Sequence, residues 1–297
     1  MRLYRRKIAI SVSDAPDRAR LGLPAREVDR ALFTICTAVV REGGEVLYAG
    51  NLSPDQYTFK IFRHLAGAYA SGRKCAPFRH VIPEPIARRT NFDELHAALK
   101  EASAVAQTRI CVRGALLPVR ASNQQLLVGD AGAGRQNIAN ESEWTAWINS
   151  YPVTNASQAY TEARAAITAE ADAGIALGGK MGLLSEPADR FEGAMPGVVE
   201  EAIMMLETGK PLITLGAYGG AARDIAIALG LLEAGRRVPR GQQQPAYSAA
   251  LTKVASLAGR LPDHIRPALA KIADDDRGEP TAYKILEAIV RWHDASN

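Results

Sequence analysis

The spacing of glycines between residues 171 and 220 most constrains the fold of this 297-residue chain. Two short apolar runs, Gly174–Leu177 and Pro211–Leu215, each end in glycines, and a third glycine element, Gly193–Gly197, leads into a stretch with helical apolar spacing. Strand, glycine loop, helix and strand is the order in which an open α/β sheet builds a ligand crevice at its strand ends. Glycine lets the backbone approach a phosphate, and the first N–H groups of the next helix face the anion. The pattern predicts a crevice for a nucleotide.

Strand-like and helix-like patterns alternate along the rest of the chain, which predicts an α/β fold with a doubly wound, mainly parallel sheet. The other predicted strands are Lys7–Val12, Glu45–Tyr48, His80–Ile82 and Thr108–Val112. Apolar spacing predicts helices at Glu27–Arg41, Tyr57–Ala70, Asn91–Ala106, Ser157–Ala171, Val198 onward and Arg223–Leu232. Between Arg113 and Thr154 the pattern weakens, and only a turn at Asp130–Gly134 and a short helix at Ser142–Ser150 are expected.

The C-terminal part of the chain has a different pattern from the rest. Arg236–Pro245 (RRVPRGQQQP) has the composition of an exposed linker. It is followed by additional C-terminal helices, predicted at Ser248–Gly259, Asp263–Ala273 and Thr281–His293. We therefore predict a nucleotide-binding domain over residues 1–235 and a C-terminal helical extension over residues 246–297.

The charge balance bears on the class of partner. Lys and Arg number 36 against 32 Asp and Glu, which leaves a formal net charge of +4. Such a mild excess without a dense basic tract disfavours nucleic acid and suits an anionic small ligand. Five scattered histidines show no metal-ligand spacing, so no metal is expected.

Cysteine usage and hydropathy bear on the compartment. Cys36, Cys75 and Cys111 are widely spaced, and Cys36 and Cys111 lie in apolar runs, so both are predicted to be small core residues. No apolar run approaches the ~18 residues of a membrane span, and no secretory signal is visible. The sequence predicts a cytoplasmic protein without membrane partners.

The candidate site residues each have a structural alternative. The strand-end glycines Gly178, Gly179, Gly216, Gly219 and Gly220 occur without GxxxxGK[ST] or GxGxxG and could be tight turns. Three glycine elements within fifty residues favour a ligand site. The turn residues Ser11, Ser13 and Asp14, and the pair Gly50 and Asn51, could bind phosphate or ribose or simply form turns.

Charged candidates lie on the two helices that flank the first glycine run. Glu200 and Glu201 fall in the first turn of the helix that begins near Gly197, where acidic residues stabilise the helix dipole. One of them could instead contact a ribose or act as a general acid or base. The position of the two glutamates does not favour the structural role over the functional one. Arg164 lies on an alanine-rich helix, where an arginine is usually solvated.

The segments EARAAITAEADAGIALGGK and MPGVVEEAIMML resemble the SLOG superfamily, which includes the DprA/Smf-like and LOG domains. In LOG phosphoribohydrolases an MHxRK motif precedes a strand that ends in PGGxGTxxE. Here Arg164 matches the arginine, Ala165 replaces the lysine, and Gly178-Gly179 match the glycine pair. An insertion containing Lys180–Met195 follows before the pattern resumes, and Glu201 falls on the last glutamate.

GKPLITLGAYGGAARDIA and VREGGEVLYAGNLSPD look more specifically like predicted SLOG ligand sensors of bacterial conflict systems. The resemblance covers about residues 7–232 at the level of element order. It implies a Rossmann-like fold that binds a nucleotide of the ADP-ribose type as a sensor, with no cofactor required. In this interpretation phosphate oxygens meet amides at Lys180 and Pro196–Val199. The further implied nucleotide contacts are Ser11, Ser13, Asp14, Gly50, Asn51, Arg164, Gly178, Gly179, Met195, Gly197, Glu200, Glu201, Gly216, Gly219 and Gly220.

No effector domain is visible, so the output of such a sensor is expected in a partner protein in trans or in a homo-oligomer. Ser142–Thr154 and the C-terminal helices are the candidate dimer contacts. The resemblance also implies an alternative, a LOG-like N-glycosidase that cleaves a nucleoside 5′-monophosphate. Glu201 and Arg164 would then be catalytic, with Glu201 assisting the attack of water.

Overall fold

The computed structural model describes residues 3–53, 55–69, 76–132, 134–238 and 241–294. By its internal contacts the chain separates into two compact units. Unit 1 comprises Met1–Gly44 and Glu170–Asn297, and unit 2 comprises Glu45–Ala169. The predicted C-terminal extension lies within unit 1, and its separation from residues 1–235 as a domain stays a prediction.

The described residues contain nine strands and eleven α-helices. The strands are β1 (Lys7–Ser13), β2 (Glu45–Ala49), β3 (Phe78–Pro83), β4 (Ala106–Val112), β5 (Ala115–Ser122), β6 (Gln125–Val128), β7 (Gln136–Ile138), β8 (Ala173–Gly178) and β9 (Leu212–Leu215). The helices are α1 (Ala25–Arg41), α2 (Tyr57–Tyr69), α3 (Glu84–Arg89), α4 (Phe92–Ala102), α5 (Glu141–Asn149), α6 (Ala156–Glu170), α7 (Gly197–Glu207), α8 (Gly220–Ala228), α9 (Pro245–Ser256), α10 (Arg266–Ala273) and α11 (Gly278–Asp294). None of these helices is both long and apolar enough to cross a membrane.

In unit 1 the strands β1, β8 and β9 pair in parallel, with β8 in the middle. All six residues of β8 are buried, as expected for a parallel strand that is covered on both faces. The register places Ser13 of β1 opposite Gly178 of β8, and Leu177 opposite Leu215 of β9. The carboxyl ends of β1, β8 and β9 therefore meet at one edge.

The helices of unit 1 cover this sheet and one another. Helix α7 packs on β1 and β8, α8 on β8 and β9, α10 on β9, and α11 on α1. Helix α1 buries an apolar stripe that includes Val28, Leu32, Ile35 and Val39, which repeats at helical spacing. The C-terminal helices thus complete the core of unit 1.

Unit 2 contains the remaining six strands. Strands β2, β3 and β4 pair in parallel, whereas β4, β5, β6 and β7 pair in antiparallel order. Its core packs α4 and α5 against these strands, with Trp144 and Trp147 at its centre. Both tryptophans are buried, and the use of Ser142–Thr154 as a dimer contact stays a prediction. Homo-oligomer formation stays a prediction.

The mixed α/β architecture and the mainly parallel pairing confirm the predicted Rossmann-like fold class. The main departures are β5, β6 and β7, which occupy the region where the sequence pattern weakens, and the short helix α3. Cys36 and Cys111 are buried, as predicted, and burial raises the pKa of their thiols to about 12 and about 11. Cys75 and the predicted helix end at Ala70 lie outside the described residues.

Candidate functional site

The ends of β1 and β8 are joined directly by hydrogen bonds. The backbone N–H of Gly179 donates to the carbonyl oxygen of Ser13 at 2.9 Å. The N–H of Lys180 donates to the Ser13 hydroxyl at 3.1 Å. The turn after β1 and the glycine pair after β8, which the sequence separates by more than 160 residues, therefore form one piece of structure.

Two glycines permit the close approach of these loops. Gly179 has φ +110°, and a Cβ built on it would lie 2.8 Å from Cβ of Ala221 and 3.1 Å from Cβ of Val198. Gly220 has φ +64°, and its Cβ would lie 2.6 Å from the carbonyl oxygen of Gly179. Both positions combine a left-handed backbone with contact distances that exclude a side chain. The glycines bring the first turns of α7 and α8 against the end of β8.

Three charged residues that sequence reasoning missed hold unit 1 together near these loops. Asp17 is buried, and its Oδ1 accepts the N–H of Gly220 at 2.6 Å, where α8 begins. Arg223 is also buried and donates to the carbonyl oxygens of Gly216 at 3.0 Å and Arg236 at 2.7 Å. Burial lowers the pKa of Arg223. The third is Asp189, which follows the glycine pair and binds backbone amides.

Helix α7 begins beside these loops with its first amides uncapped by any side chain. Pro196 is its N-cap residue and makes no side-chain capping bond. The N–H groups of Val199 and Glu200 donate to the Pro196 carbonyl at 3.0 Å. Pro196 has no N–H, so the amides that this helix end can present to an anion are those of Gly197 and Val198, at the positive end of the helix dipole. This helix end is therefore suited to an anion.

Glu201 contacts the strand end from the second turn of α7. The Ser11 hydroxyl on β1 donates a hydrogen bond to Oε2 of Glu201. Glu201 is partly exposed, whereas the neighbouring Glu200 is only 4% exposed. The sequence did not decide between a structural and a functional role for these glutamates, and Glu201 is the one of the two with surface that a ligand or water can reach.

Exposure divides the predicted residues of unit 1 into two sets. Those with partly or fully exposed surface are Ser13, Asp14, Lys180, Met195, Gly197 and Glu201. Those that are buried are Ser11, Gly178, Gly179, Pro196, Glu200, Gly216, Gly219 and Gly220. The buried set lies in the strand, helix and loop interiors, and only the exposed set has surface that a ligand could contact directly. Contact of the individual residues with a nucleotide stays a prediction.

Three predicted residues lie in unit 2. The carbonyl oxygen of Gly50 accepts a hydrogen bond from Nε2 of His80 at 3.2 Å, and the N–H of Ser53 donates to the Asn51 side chain at 3.3 Å. Arg164 lies on α6, with its guanidinium carbon 5.5 Å from the centroid of the Tyr160 ring. These contacts account for turn formation at Gly50–Asn51 and for a packed Arg164. Their predicted roles in nucleotide binding stay predictions.

His80 lies in β3, within the strand predicted at His80–Ile82, and is buried, although no role for its side chain was predicted from the sequence. Burial lowers its pKa from 6.5 to about 4, so the ring is neutral at neutral pH. Its Nε2 also lies 3.5 Å from the Thr58 hydroxyl, and its ring stacks on Phe78. Because the carbonyl of Gly50 can only accept, Nε2 carries the proton. His80 therefore fixes the end of β2 from inside the core.

The parallel strands, the converging glycine loops and the uncapped helix define an α/β domain of the Rossmann-like class. The chain belongs to the SLOG family, because the family model described as SLOG cluster2 matches residues 2–260. This membership confirms the SLOG resemblance and implies a nucleotide-binding, LOG-like domain. No significant match to the chain was found among curated proteins or among solved structures.

Proposed function

We propose that the protein is a sensor that binds a nucleotide of the ADP-ribose type at the strand-end loops of unit 1, in a bacterial conflict or signalling system. The observation that carries this proposal is the convergence of Ser13, Lys180 and Glu201 beside the uncapped N-terminus of α7. Lys180 and the first amides of α7 would bind phosphate oxygens, and Glu201 would accept a ribose hydroxyl.

The insertion between Gly179 and Gly197 favours binding over catalysis. In the LOG motif the glycine pair leads directly into the helix, whereas here a folded loop separates Gly179 from Glu201. Catalytic groups must be held within about 0.5 Å of the productive geometry, and a binding site tolerates larger changes. The replacement of the motif's lysine by Ala165 also favours binding over catalysis.

The alternative is a LOG-like nucleoside 5′-monophosphate phosphoribohydrolase. The contact between Ser11 and Glu201 supports it, because this hydrogen bond holds a partly exposed carboxylate in a fixed position. Glu201 would assist the attack of water at the anomeric carbon, and Arg164 would support the phosphate or the leaving base.

The test begins with mass spectrometry of small molecules released from the purified protein. The protein is then incubated with ADP-ribose, its cyclic forms, NAD and AMP. Wild type is compared with Glu201→Gln and with Glu207→Gln, a matched control at the exposed end of the same helix. For a sensor we expect retained, intact nucleotide, with affinity reduced in Glu201→Gln and unchanged in Glu207→Gln.

Each other outcome contradicts part of the proposal. Free base and ribose phosphate that appear with wild type and disappear with Glu201→Gln would make the protein a hydrolase. Base release that persists in Glu201→Gln would exclude a catalytic role for this residue. If no nucleotide changes the melting temperature, the nucleotide site itself is refuted, because a ligand at a hundred times its Kd should stabilise by ~2.7 kcal/mol.

The remaining parts of the proposal concern the setting of the sensor. We propose a cytoplasmic protein that passes its signal to an effector protein in trans or through rearrangement of a homo-oligomer. Size-exclusion chromatography with light scattering, with and without the retained nucleotide, tests the second route. An unchanged mass at all protein concentrations would leave only the partner protein.

A further inference from the structure

The insertion that interrupts the LOG-type motif is a folded loop in the described structure. We call residues 180–190 the 180–190 loop. The carboxylate of Asp189, only 5% exposed, accepts the N–H of Leu183 at 2.7 Å and the N–H of Met181 at 3.0 Å. At the other end of the loop, Nζ of Lys180 donates to the carbonyl oxygen of Arg190 at 2.9 Å. One buried carboxylate thus closes the loop onto its own backbone.

A second segment holds the same loop from outside. The N–H of Leu184 donates to the carbonyl of Gln242 at 2.9 Å, and the N–H of Gln244 donates to the carbonyl of Gly182 at 2.8 Å. The side-chain amide of Gln243 donates to the carbonyl of Met181 at 3.0 Å. The sequence predicted this stretch to be an exposed linker, but residues 242–244 are bound to the 180–190 loop. Backbone groups on both edges of the loop are therefore satisfied.

These contacts fix the position of Lys180. Its backbone N–H is bound to Ser13 at the end of β1, and the residues that follow it are bound to Asp189. We propose that Asp189 is a positioning residue for anion binding, because it holds the 180–190 loop in the conformation that presents Lys180 at the strand-end site. This inference rests on the proposed function and names the residue that sets the affinity of that site.

The choice of a carboxylate has a chemical reason. A carboxylate accepts several N–H groups at once, and such charge-assisted bonds are stronger than those of a neutral acceptor. Burial raises the pKa of Asp189, with a smaller contribution in the same direction from Glu186, while the amides of Leu183 and Met181 and the charge of Lys180 oppose it. Protonation would weaken these bonds, so the loop should loosen as the pH falls, at a higher pH than for an aspartate with an ordinary pKa.

The experiment is a double-mutant cycle on the full chain, with ADP-ribose and inorganic pyrophosphate as probes and calorimetry as the readout. The variants are Asp189→Asn, Lys180→Met and the two combined. We expect each single change to raise Kd about tenfold, which corresponds to the loss of one charge-assisted contact. Because Asp189 acts through Lys180, the double variant should bind no more weakly than the weaker single variant.

Controls separate positioning from a general loss of structure. Glu186→Gln removes a charge from an exposed position of the same loop and should leave Kd unchanged. When Asp189→Asn is combined with Glu201→Gln, the two fold-changes in Kd should multiply, since Glu201 binds the ligand through a different contact. If Asp189→Asn fails to fold, Gln243→Ala removes one outer bond and should raise Kd about threefold, again without adding to Lys180→Met.

The outcomes distinguish this inference from the proposed function. If wild type binds neither probe, both fail. If wild type binds and Asp189→Asn binds equally well, only the positioning role fails. The positioning role would also be overturned if the fold-changes in Kd of Asp189→Asn and Lys180→Met multiplied in the double variant, because the two residues would then act independently.

Discussion

The strand ends of unit 1 and unit 2 are held in different ways. In unit 1 the loops after β1, β8 and β9 meet at main-chain groups: Gly179 binds the Ser13 carbonyl, the Ser13 and Asp17 side chains accept main-chain amides, and glycines allow the close approach. In unit 2 side chains hold the ends of β2 and β3. His80 binds the Gly50 carbonyl, and Glu84 binds Arg88 at 2.8 Å. The anchored loops of unit 1 leave Lys180 and Glu201 partly exposed beside them, whereas His80 and Glu84, which hold the strand ends of unit 2, are themselves buried.

Helices α4 and α5 of unit 2 begin differently from helix α7 of unit 1. In unit 2, α4 and α5 have Asn91 and Asn140 as caps, whose side chains accept the N–H groups of Glu94 and Glu143. In unit 1, α7 begins at Pro196 with no side-chain cap. A cap occupies the amides that an anion would use. Helix α3 of unit 2 also begins without a side-chain cap, at Pro83, so the contrast concerns α7 against α4 and α5, and the proposed anion site rests on the start of α7.

The largest expected effect comes from a side chain placed where backbones meet in unit 1. Gly220→Ala should destabilise the protein by about 4 kcal/mol, because it combines a left-handed φ with a contact of 2.6 Å to the Gly179 carbonyl. The matched control is Gly209→Ala, at φ +69° with no atom within 4 Å of the added methyl group, which should cost about 1 kcal/mol. Urea unfolding measures both. Equal losses would show that conformation alone, and not the contact, requires Gly220.

The next effect tests the side-chain anchor of unit 2 through pH. The folded-state pKa of His80 is about 4 and its unfolded value 6.5, so the unfolded chain binds the proton more readily between these values. The contribution of neutral His80 is complete above pH 6.5 and is lost as the pH falls towards 4, by roughly 3 kcal/mol in total.

Unfolding free energies of wild type and His80→Gln measured from pH 7 to pH 4 provide the test. His80→Gln keeps a donor for Gly50 without the titration, so its stability should fall less steeply. His96→Gln, at a partly exposed histidine, is the control and should follow the wild-type curve. Parallel curves for wild type and His80→Gln would rule out His80 as the source of the pH dependence.

The sequence predicted the elements of unit 1 better than those of unit 2. Buried parallel strands read as continuous apolar runs, and glycines marked their ends, so β1, β8 and β9 were predicted within a residue or two. Strands β5–β7 were missed because only part of each strand is buried. Helix α3 was missed because it is short and prolines flank its first residue, although Pro85 lies in the first turn of the helix, where proline is common.

The candidate site was predicted where its residues carry local signals. Glycines at strand ends and glutamates near a helix start are visible in the sequence, although the sequence placed Glu201 in the first turn and the structure places it just beyond that turn. Asp17 and Asp189 were not singled out, because an acidic residue in a turn gives no sign of the amides it will bind. The partner of Asp17 is Gly220, 203 residues away, and only the folded chain brings them together.

The smallest effects on stability come from the helix caps, and they test the comparison most directly. Asn91→Ala removes the cap of α4 and should cost about 1 kcal/mol in urea unfolding, without changing ligand affinity.

Pro196→Ser supplies α7 with the cap it lacks, at a residue whose φ of −58° and ψ of 133° already suit the N-cap position. We expect this variant to gain no more than about 0.5 kcal/mol, because the stabilisation by a cap is partly offset by the greater entropy of the unfolded chain without the proline. Its affinity for ADP-ribose should nevertheless fall severalfold, since the serine hydroxyl competes with phosphate for the same amides. Unchanged affinity in Pro196→Ser would mean that the phosphate does not bind the start of α7, and the difference between the two units would then concern folding alone.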